Sequence, residues 1–414
     1  MTRRYMGALL FAGVLGQPVA AQEAPRALEP HGPTLFDEPG LLTSVLDVAG
    51  RFTSRGDGER RAGFYPKVGG MISGAGWISA GPGYRAKLFG GRADADVHTT
   101  LSWRSYLKAD ASLEFPLLAD GRLAAGTEAL WQDSTQVNYF GLGPDSSEAL
   151  SSQYRLTTMN VVAYARYRPE RWLAFSTSGG WLDRPSVTSA TGWFKPDDLD
   201  AQTTFRDDPA MTLVDQPHFV HGDAAMTVDT RDFSDHPTRG GLYRASVAAY
   251  WADVHRYSFR RYEVEGLHAL ALFDRAWILL LRGWGVFSDT GETEEVPFYL
   301  MPSLGGSNTL RGYSNYRFHD RHLVFASTES RWPLFPHVDV AAFVDTGTVA
   351  ARVEDLGLDK WVYGFGVRLH SHTSTTARVD VAHTDEGWKV LFRSSDPFNL
   401  SRLKRWTAAV PFVP

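Results

Sequence analysis

From Phe64 to Phe398 the chain alternates apolar and polar residues with a period of two, a pattern that only extended strands with two unlike faces satisfy. Trp361, Tyr363, Phe365, Val367 and Leu369 fall on one face, and Gly364, Gly366, Arg368 and His370 on the other. Ala377, Val379 and Val381 oppose Thr376, Arg378 and Asp380, while Trp388, Val390 and Phe392 oppose Lys389 and Arg393. Val338, Val340, Ala342 and Val344 oppose Asp339 and Asp345. One face is aliphatic and aromatic; the other carries charges of both signs. A soluble β-sandwich turns its charged face to water. A transmembrane barrel turns its apolar face to lipid and its polar face to the lumen. Alternation alone does not separate the two. The aromatic load (13 Trp, 16 Tyr, 24 Phe) and an export signal at the N-terminus favour the barrel.

That signal consists of Arg3 and Arg4, an apolar run from Met6 to Leu15, and the small-residue site Val19-Ala20-Ala21. Residues 1–21 are therefore expected to be a signal peptide. The run is too short to span a bilayer, and no later segment offers about 18 uninterrupted apolar residues, so no transmembrane helix is expected. The net charge of −5 gives no reason to expect nucleic acid as a partner, and the lack of cysteine fixes no compartment.

Residues 22–64 form a lead-in. Leu42, Val45, Leu46, Ala49 and Phe52 recur at helical spacing, which predicts one short amphipathic helix, either frayed or docked on the domain that follows. Residues 65–398 divide into strand-like runs near 65–72, 76–88, 94–106, 107–116, 122–137, 153–168, 171–182, 221–231, 241–253, 257–273, 275–288, 321–332, 337–349, 361–371, 375–384 and 386–395. That is about sixteen, an even number, as a closed single-chain bacterial barrel requires. The expected fold is all-β: a closed transmembrane antiparallel β-barrel. Short links such as 119–121 and 169–170 are expected on the periplasmic side. The long links 138–152, 183–220 and 289–320 are expected outside, with 183–220 covering the mouth. Residues 399–414 are expected to be a frayed tail, the alternative being a peptide that docks in the lumen or on a partner.

One loop stands out: Ser303-Leu304-Gly305-Gly306-Ser307-Asn308-Thr309-Leu310-Arg311-Gly312-Tyr313. The glycine pair lets the backbone double back, and Arg311 offers a planar, permanently charged fork that calls for acidic partners. Glu329 and Asp345, on the next two strands, are the candidates; both share parity with the charged face.

This loop, with Gly305-Gly306 before Leu310-Arg311-Gly312-Tyr313, resembles the Val-Arg-Gly-Phe/Tyr motif of the BamA/TamA outer-membrane assembly superfamily, also called the bacterial surface antigen family. Phe343-Val344-Asp345-Thr346-Gly347 resembles its aromatic-x-Asp-x-Gly strand. Asp229, Arg231 and Asp232, with Pro237 and Gly240, resemble a family turn motif, and Tyr139-Phe140-Gly141-Leu142-Gly143 is a weaker match. The resemblance implies a sixteen-stranded barrel in the bacterial outer membrane, with the extracellular Arg311 loop folded into the lumen and Arg311 paired to Glu329 and Asp345. It also implies partners: outer-membrane lipids including lipopolysaccharide, and unfolded outer-membrane protein clients or periplasmic partners. The family's assembly factors carry client-binding periplasmic domains, for which residues 22–64 are too short. The resemblance is thus to a barrel-only member.

The first strand is glycine-dense, at Gly69, Gly70, Gly74 and Gly76. Glycine weakens strand pairing, so a lateral gate between first and last strands is one expectation and a sharp barrel corner the other. Two further readings stay open. One is a passive narrow channel lined by residues such as Arg261, Glu263, Glu265, Arg368, Arg378 and Lys389. The other is an outer-membrane hydrolase, which would need a Ser-His pair in contact. No catalytic constellation, cofactor site or metal site is expected. His370-Ser371-His372 places two imidazoles on one face, but no carboxylate stands at ligand spacing.

Overall fold

The computed structural model describes residues 34–36, 62–68, 71, 79–192, 199–206, 216–371, 374–407 and 410–412. The expected signal peptide (residues 1–21), the expected lead-in helix and Gly69, Gly70, Gly74 and Gly76 lie outside the described residues. The strands are β1 (Gly63–Val68), β2 (Ser79–Leu88), β3 (Ala93–Ser102), β4 (Leu107–Leu118), β5 (Leu123–Tyr139), β6 (Ser152–Glu170), β7 (Leu173–Ser189), β8 (Leu199–Asp200), β9 (Phe219–Asp229) and β10 (Gly240–Ala252). They continue as β11 (Phe259–Leu272), β12 (Trp277–Asp289), β13 (Ser303–Leu304), β14 (Phe318–His319), β15 (His322–Phe335), β16 (Val338–Ala350), β17 (Lys360–His370), β18 (Thr375–Thr384) and β19 (Gly387–Arg393).

Leaving aside the two-residue strands β8, β13 and β14, each strand pairs antiparallel with the next from β1 to β19. Among the described residues this meander has sixteen strands. Antiparallel succession puts alternate links at the same end. The long connections 140–151, 190–218 and 290–321 share one end, the loop end. The links 119–122, 171–172, 230–239 and 336–337 share the other, the turn end. The expectation for 183–220 needs one correction. Residues 183–189 are strand, because β7 carries on pairing with β6 as far as Ser189↔Tyr154.

The two faces are inverted relative to a water-soluble protein. Trp361, Tyr363, Phe365, Trp388, Val390 and Phe392 stand on the exposed outer face, while Arg331, Arg368, Arg378 and Asp380 are buried inside. Such an exterior is costly in water and favourable in hydrocarbon, and it reverses the sandwich alternative. No helix among the described residues is long and apolar enough to cross a membrane, which says nothing of crossing by strands.

The interior is packed. At the loop end Tyr139, Tyr154, Phe219, Tyr250, Phe298 and Tyr299 form an aromatic cluster. Trp284, Leu304, Leu310, Tyr313, Phe343 and Phe412 form a second around the loop. Leu242, Leu267, Leu280, Phe398 and Leu400 form a third at the turn end. All three clusters contain residues beyond β19 (Val410, Phe412, and Phe398 with Leu400), which corrects the expectation of a frayed tail. Residues 394–407 and 410–412 run inside the sheet. Arg402 pairs with Glu263 at 2.7 Å and also with Glu265. Trp406 stacks on Tyr164 with ring centroids 4.1 Å apart. Gln132 Nε2 donates to Val410 O at 3.3 Å, and Phe412 N to Tyr299 O at 3.1 Å. The tail stays because it satisfies carboxylates and aromatic rings that the strands have already buried. At the turn end, Leu35 N and Phe36 N donate to Pro333 O and Leu334 O at 3.3 and 3.0 Å. That part of the lead-in is docked on the β15–β16 turn.

Candidate functional site

The Arg311 loop enters the interior on its glycine pair. Gly305 and Gly306 have φ of +113° and +91°, and a Cβ on Gly305 would lie 2.3 Å from Ser314 O. No other residue fits that backbone without strain. Gly312 seats the far side: a Cβ there would lie 2.9 Å from Thr384 Cγ2 on β18. Leu310 is buried, and the loop closes on itself through Tyr313 N to Leu310 O at 3.2 Å.

Arg311 is then delivered to both sequence-nominated acids. Its Nε and Nη2 donate to Asp345 Oδ2 and Oδ1 at 2.8 and 2.7 Å, and its backbone N to Oδ2 at 3.2 Å. Nη1 donates to Glu329 Oε2 at 2.5 Å, and Nη2 to Ser327 Oγ at 3.4 Å. The guanidinium carbon sits 3.5 Å above the Phe343 ring, which supplies the aromatic of the aromatic-x-Asp strand with a physical task. Burial on its own would lower the pKa of Arg311, but the charge and hydrogen bonds of Asp345 together with the Glu329 charge outweigh it, and the group is raised above its ordinary value.

Parity alone did not reveal how far this network extends. Glu329 is shared with Arg331 (2.8 Å) and Arg368 (2.9 Å). Arg368 also reaches Asp380 at 2.6 Å, and Asp380 pairs with Arg378 at 2.7 Å. Arg378 returns to the loop at Ser307 O, 2.6 Å, and Arg282 holds Asn308 O at 2.7 Å. Arg331 reaches Asp396 in the tail at 2.9 Å. Burial alone would raise the Asp396 carboxyl, but the Arg331 guanidinium and His236 together outweigh it and hold the group well below the usual carboxylate range. Four arginines (311, 331, 368, 378) thus face four carboxylates (Glu329, Asp345, Asp380, Asp396), each at most 1% exposed. Buried charges are tolerated only when paired and hydrogen-bonded. The signal for Arg331, Arg368, Arg378 and Asp380 was their inward parity. Nothing in sequence placed Asp396, Arg402 or the loop carbonyls.

The loop also reaches the last hairpin. Tyr313 Oη donates to Asp385 Oδ1 at 2.5 Å. Arg317 Nε donates to Glu386 Oε1 at 2.6 Å, and its Nη1 to Ser146 Oγ at 2.7 Å. The Tyr139–Gly143 segment joins the same end, Gly143 N donating to His319 O at 2.8 Å.

The turn motif is a clasp at the opposite end. Arg231 grips Asp229 with Nε and Nη2, both at 2.9 Å. Asp232 Oδ1 accepts from the backbone N of Phe233, Thr238 and Arg239 at 2.9, 3.0 and 3.2 Å. Gly240 has φ +85°, and Pro237 is buried.

The two edges of the meander complete the site. Among the described residues β1 and β19 share no ladder, β1 pairing with β2 and β19 with β18. β19 spans only 7 residues before Ser394 leaves the ladder. The lumenal residues proposed from sequence are inside: Arg261, Glu265, Arg368 and Arg378 are buried, and Lys389 is half-buried beside Glu386.

The family model described as "Omp85 superfamily domain" matches residues 132–382. No curated protein matches the sequence significantly. Among solved structures, BamA from Haemophilus ducreyi lacking POTRA domains 1–3 is 14% identical with a TM-score of 0.59, over 80% of this chain and 69% of that one. CdiB from Acinetobacter baumannii is 12% identical with a TM-score of 0.47, over 80% of this chain and 58% of that one. CdiB from Escherichia coli is 13% identical with a TM-score of 0.49, over 80% of this chain and 61% of that one.

Proposed function

The chain belongs to the Omp85 superfamily, and on that footing we propose that it is an outer-membrane assembly factor, helping to insert outer-membrane proteins or lipids through a seam between β1 and β19. The observation that carries this reading is the contrast between edges and wall. In hydrocarbon every backbone donor and acceptor needs a partner, so a barrel opens where the fewest ladder bonds must break. Between β1 and β19 the meander's strands run ten residues or more, but the pairing that β19 can offer β1 is capped by its own 7. The Arg311 loop ties the hairpin that contains β19 to the rigid β15–β16 wall. The β19 edge of the seam is therefore held to the wall.

A passive narrow channel is the second reading, favoured by the charged inner face. The packed loop and tail argue against it, since they occupy the space a solute would use.

The test uses purified protein in liposomes with an unfolded client barrel. Client folding is expected to run faster than in empty liposomes, and a bifunctional crosslink between cysteines placed in β1 and β19 is expected to abolish the gain. Steady ion conductance without acceleration would sustain the channel reading and refute the assembly one.

A further inference from the structure

A cavity of about 530 Å³ lies between the tail and the inner face of β6, β7, β9 and β10, and reaches the turn end. We propose that it binds a phosphoryl group, carried by a phosphate or pyrophosphate ester that enters from that end. Seven of its lining residues are Lys or Arg and four are Asp or Glu, a surplus of three positive charges in a chain whose net charge is −5. Arg171 and Trp172, in the β6–β7 turn, stand exposed at its rim. The pairing of β6 with β7, β7 with β9 and β9 with β10 closes its side.

The acids of the lining do not neutralise this surplus. Asp229 is gripped by Arg231 at 2.9 Å, Asp235 accepts from Asn399 Nδ2 at 3.1 Å, and Asp223 accepts from Ser178 Oγ. Among the described residues, Arg166, Arg168, Arg171, Arg244, Lys404 and Arg405 make no ion pair. Arg166 has the face of Trp406, 4.7 Å away, and Arg244 the Thr227 hydroxyl at 3.4 Å. Glu114 lies near Arg166 and Asp223 near Arg244, but neither comes within ion-pair distance, and the charges of Arg168 and Arg244 both bear on Arg166. Elsewhere inside the wall Arg282, Arg311, Arg331, Arg368 and Arg402 each hold a carboxylate. Half-buried cations gathered without a counter-charge in a concave, low-dielectric wall focus a field that draws in an anion.

The side chains select the anion. Three of the unpaired cations inside the wall, Arg166, Arg244 and Arg405, are guanidiniums, whose planar forks match phosphate oxygens two at a time. A carboxylate has two oxygens and satisfies one fork, whereas a phosphoryl group accepts from several forks at once. The rest of the lining includes Trp172, Leu173, Leu400, Leu403 and Trp406, an apolar surface for the body of the ligand. The volume falls within the range of about 300–1,000 Å³ that small-molecule sites occupy. The tail supplies part of this lining, so a bound ester would also hold the tail to β6 and β10.

The experiment takes the full chain in a nonionic detergent and titrates sodium pyrophosphate by calorimetry, with unfolding temperature as a second readout. Saturable binding of one pyrophosphate per chain, weakened by added salt, is expected. Arg166→Gln combined with Arg244→Gln should lower the affinity by at least about tenfold. The ligand-free unfolding temperature should stay near that of the wild type, since neither side chain holds an ion pair. Arg352→Gln, which removes an exposed charge from the β16–β17 link at the loop end, should leave binding unchanged. If the double variant does not fold, Arg171→Gln with Lys404→Gln, both at exposed positions, takes its place. A parallel arm dissolves short-chain phosphatidic acid in the same micelles. Tighter binding than pyrophosphate assigns a lipid headgroup and weaker binding a soluble ester, and either sustains the site. No saturable binding of either probe, an equal loss in Arg352→Gln, or full affinity in the folded double variant would overturn it.

Discussion

Arg311→Ala is expected to lower the stability of the folded barrel by about 3–5 kcal/mol, the cost of leaving buried partners uncompensated. The variant removes two side-chain bonds to Asp345 and one to Glu329, and keeps the backbone N–H bond to Asp345. It also removes the cation above Phe343. Arg311→Lys is expected to recover little, since an ammonium cannot hold two carboxylates in a planar fork. Among the described residues the side chains that hydrogen-bond Asp345 are Arg311 and Ser327, whereas Glu329 keeps Arg331 and Arg368. Adding Asp345→Asn to Arg311→Ala should therefore cost much less than the sum of the single changes. The temperature at which the compact, heat-modifiable species unfolds reads all of these. An unchanged transition in Arg311→Ala would remove the brace from the mechanism.

Ending the chain at Asn399 is expected to open the interior. It removes Arg402 from Glu263 and Glu265, Trp406 from Tyr164, and Phe412 from its 6.0 Å stack on Trp284. Asp396 and Phe398 remain, so the bond to Arg331 that closes the turn end is kept. Stability should fall modestly while single-channel conductance in planar bilayers rises several-fold. Arg402→Ala combined with Trp406→Ala should lie between, with brief openings as the tail loosens. Equal conductance of the full and shortened chains would show that the Arg311 loop, and not the tail, seals the interior.

These two segments also show what the sequence could disclose. The strands were legible because a two-faced wall repeats every second residue, and each repeat restates which side is which. Arg311, Glu329 and Asp345 were legible because parity places both acids on the inner face, one strand apart. The tail was not. Arg402 and Trp406 sit in no periodic run, and their partners Glu263, Glu265 and Tyr164 lie on strands far away in the chain. The same holds for His236, which the clasp brings to Asp339 and His370 across long sequence separations. Contacts made by irregular segments depend on the finished wall, and no local pattern encodes them.

The most direct test of lateral insertion places a photo-crosslinking amino acid at Phe64 in β1 or Phe392 in β19, both outward-facing, 87% and 55% exposed. Trp181 in β7, 44% exposed on the opposite run of strands, is the control. Irradiation while a client barrel is being inserted should give client adducts at Phe64 and Phe392 and none at Trp181. Equal labelling at all three positions, or none at the two edge strands, would contradict a seam that admits clients.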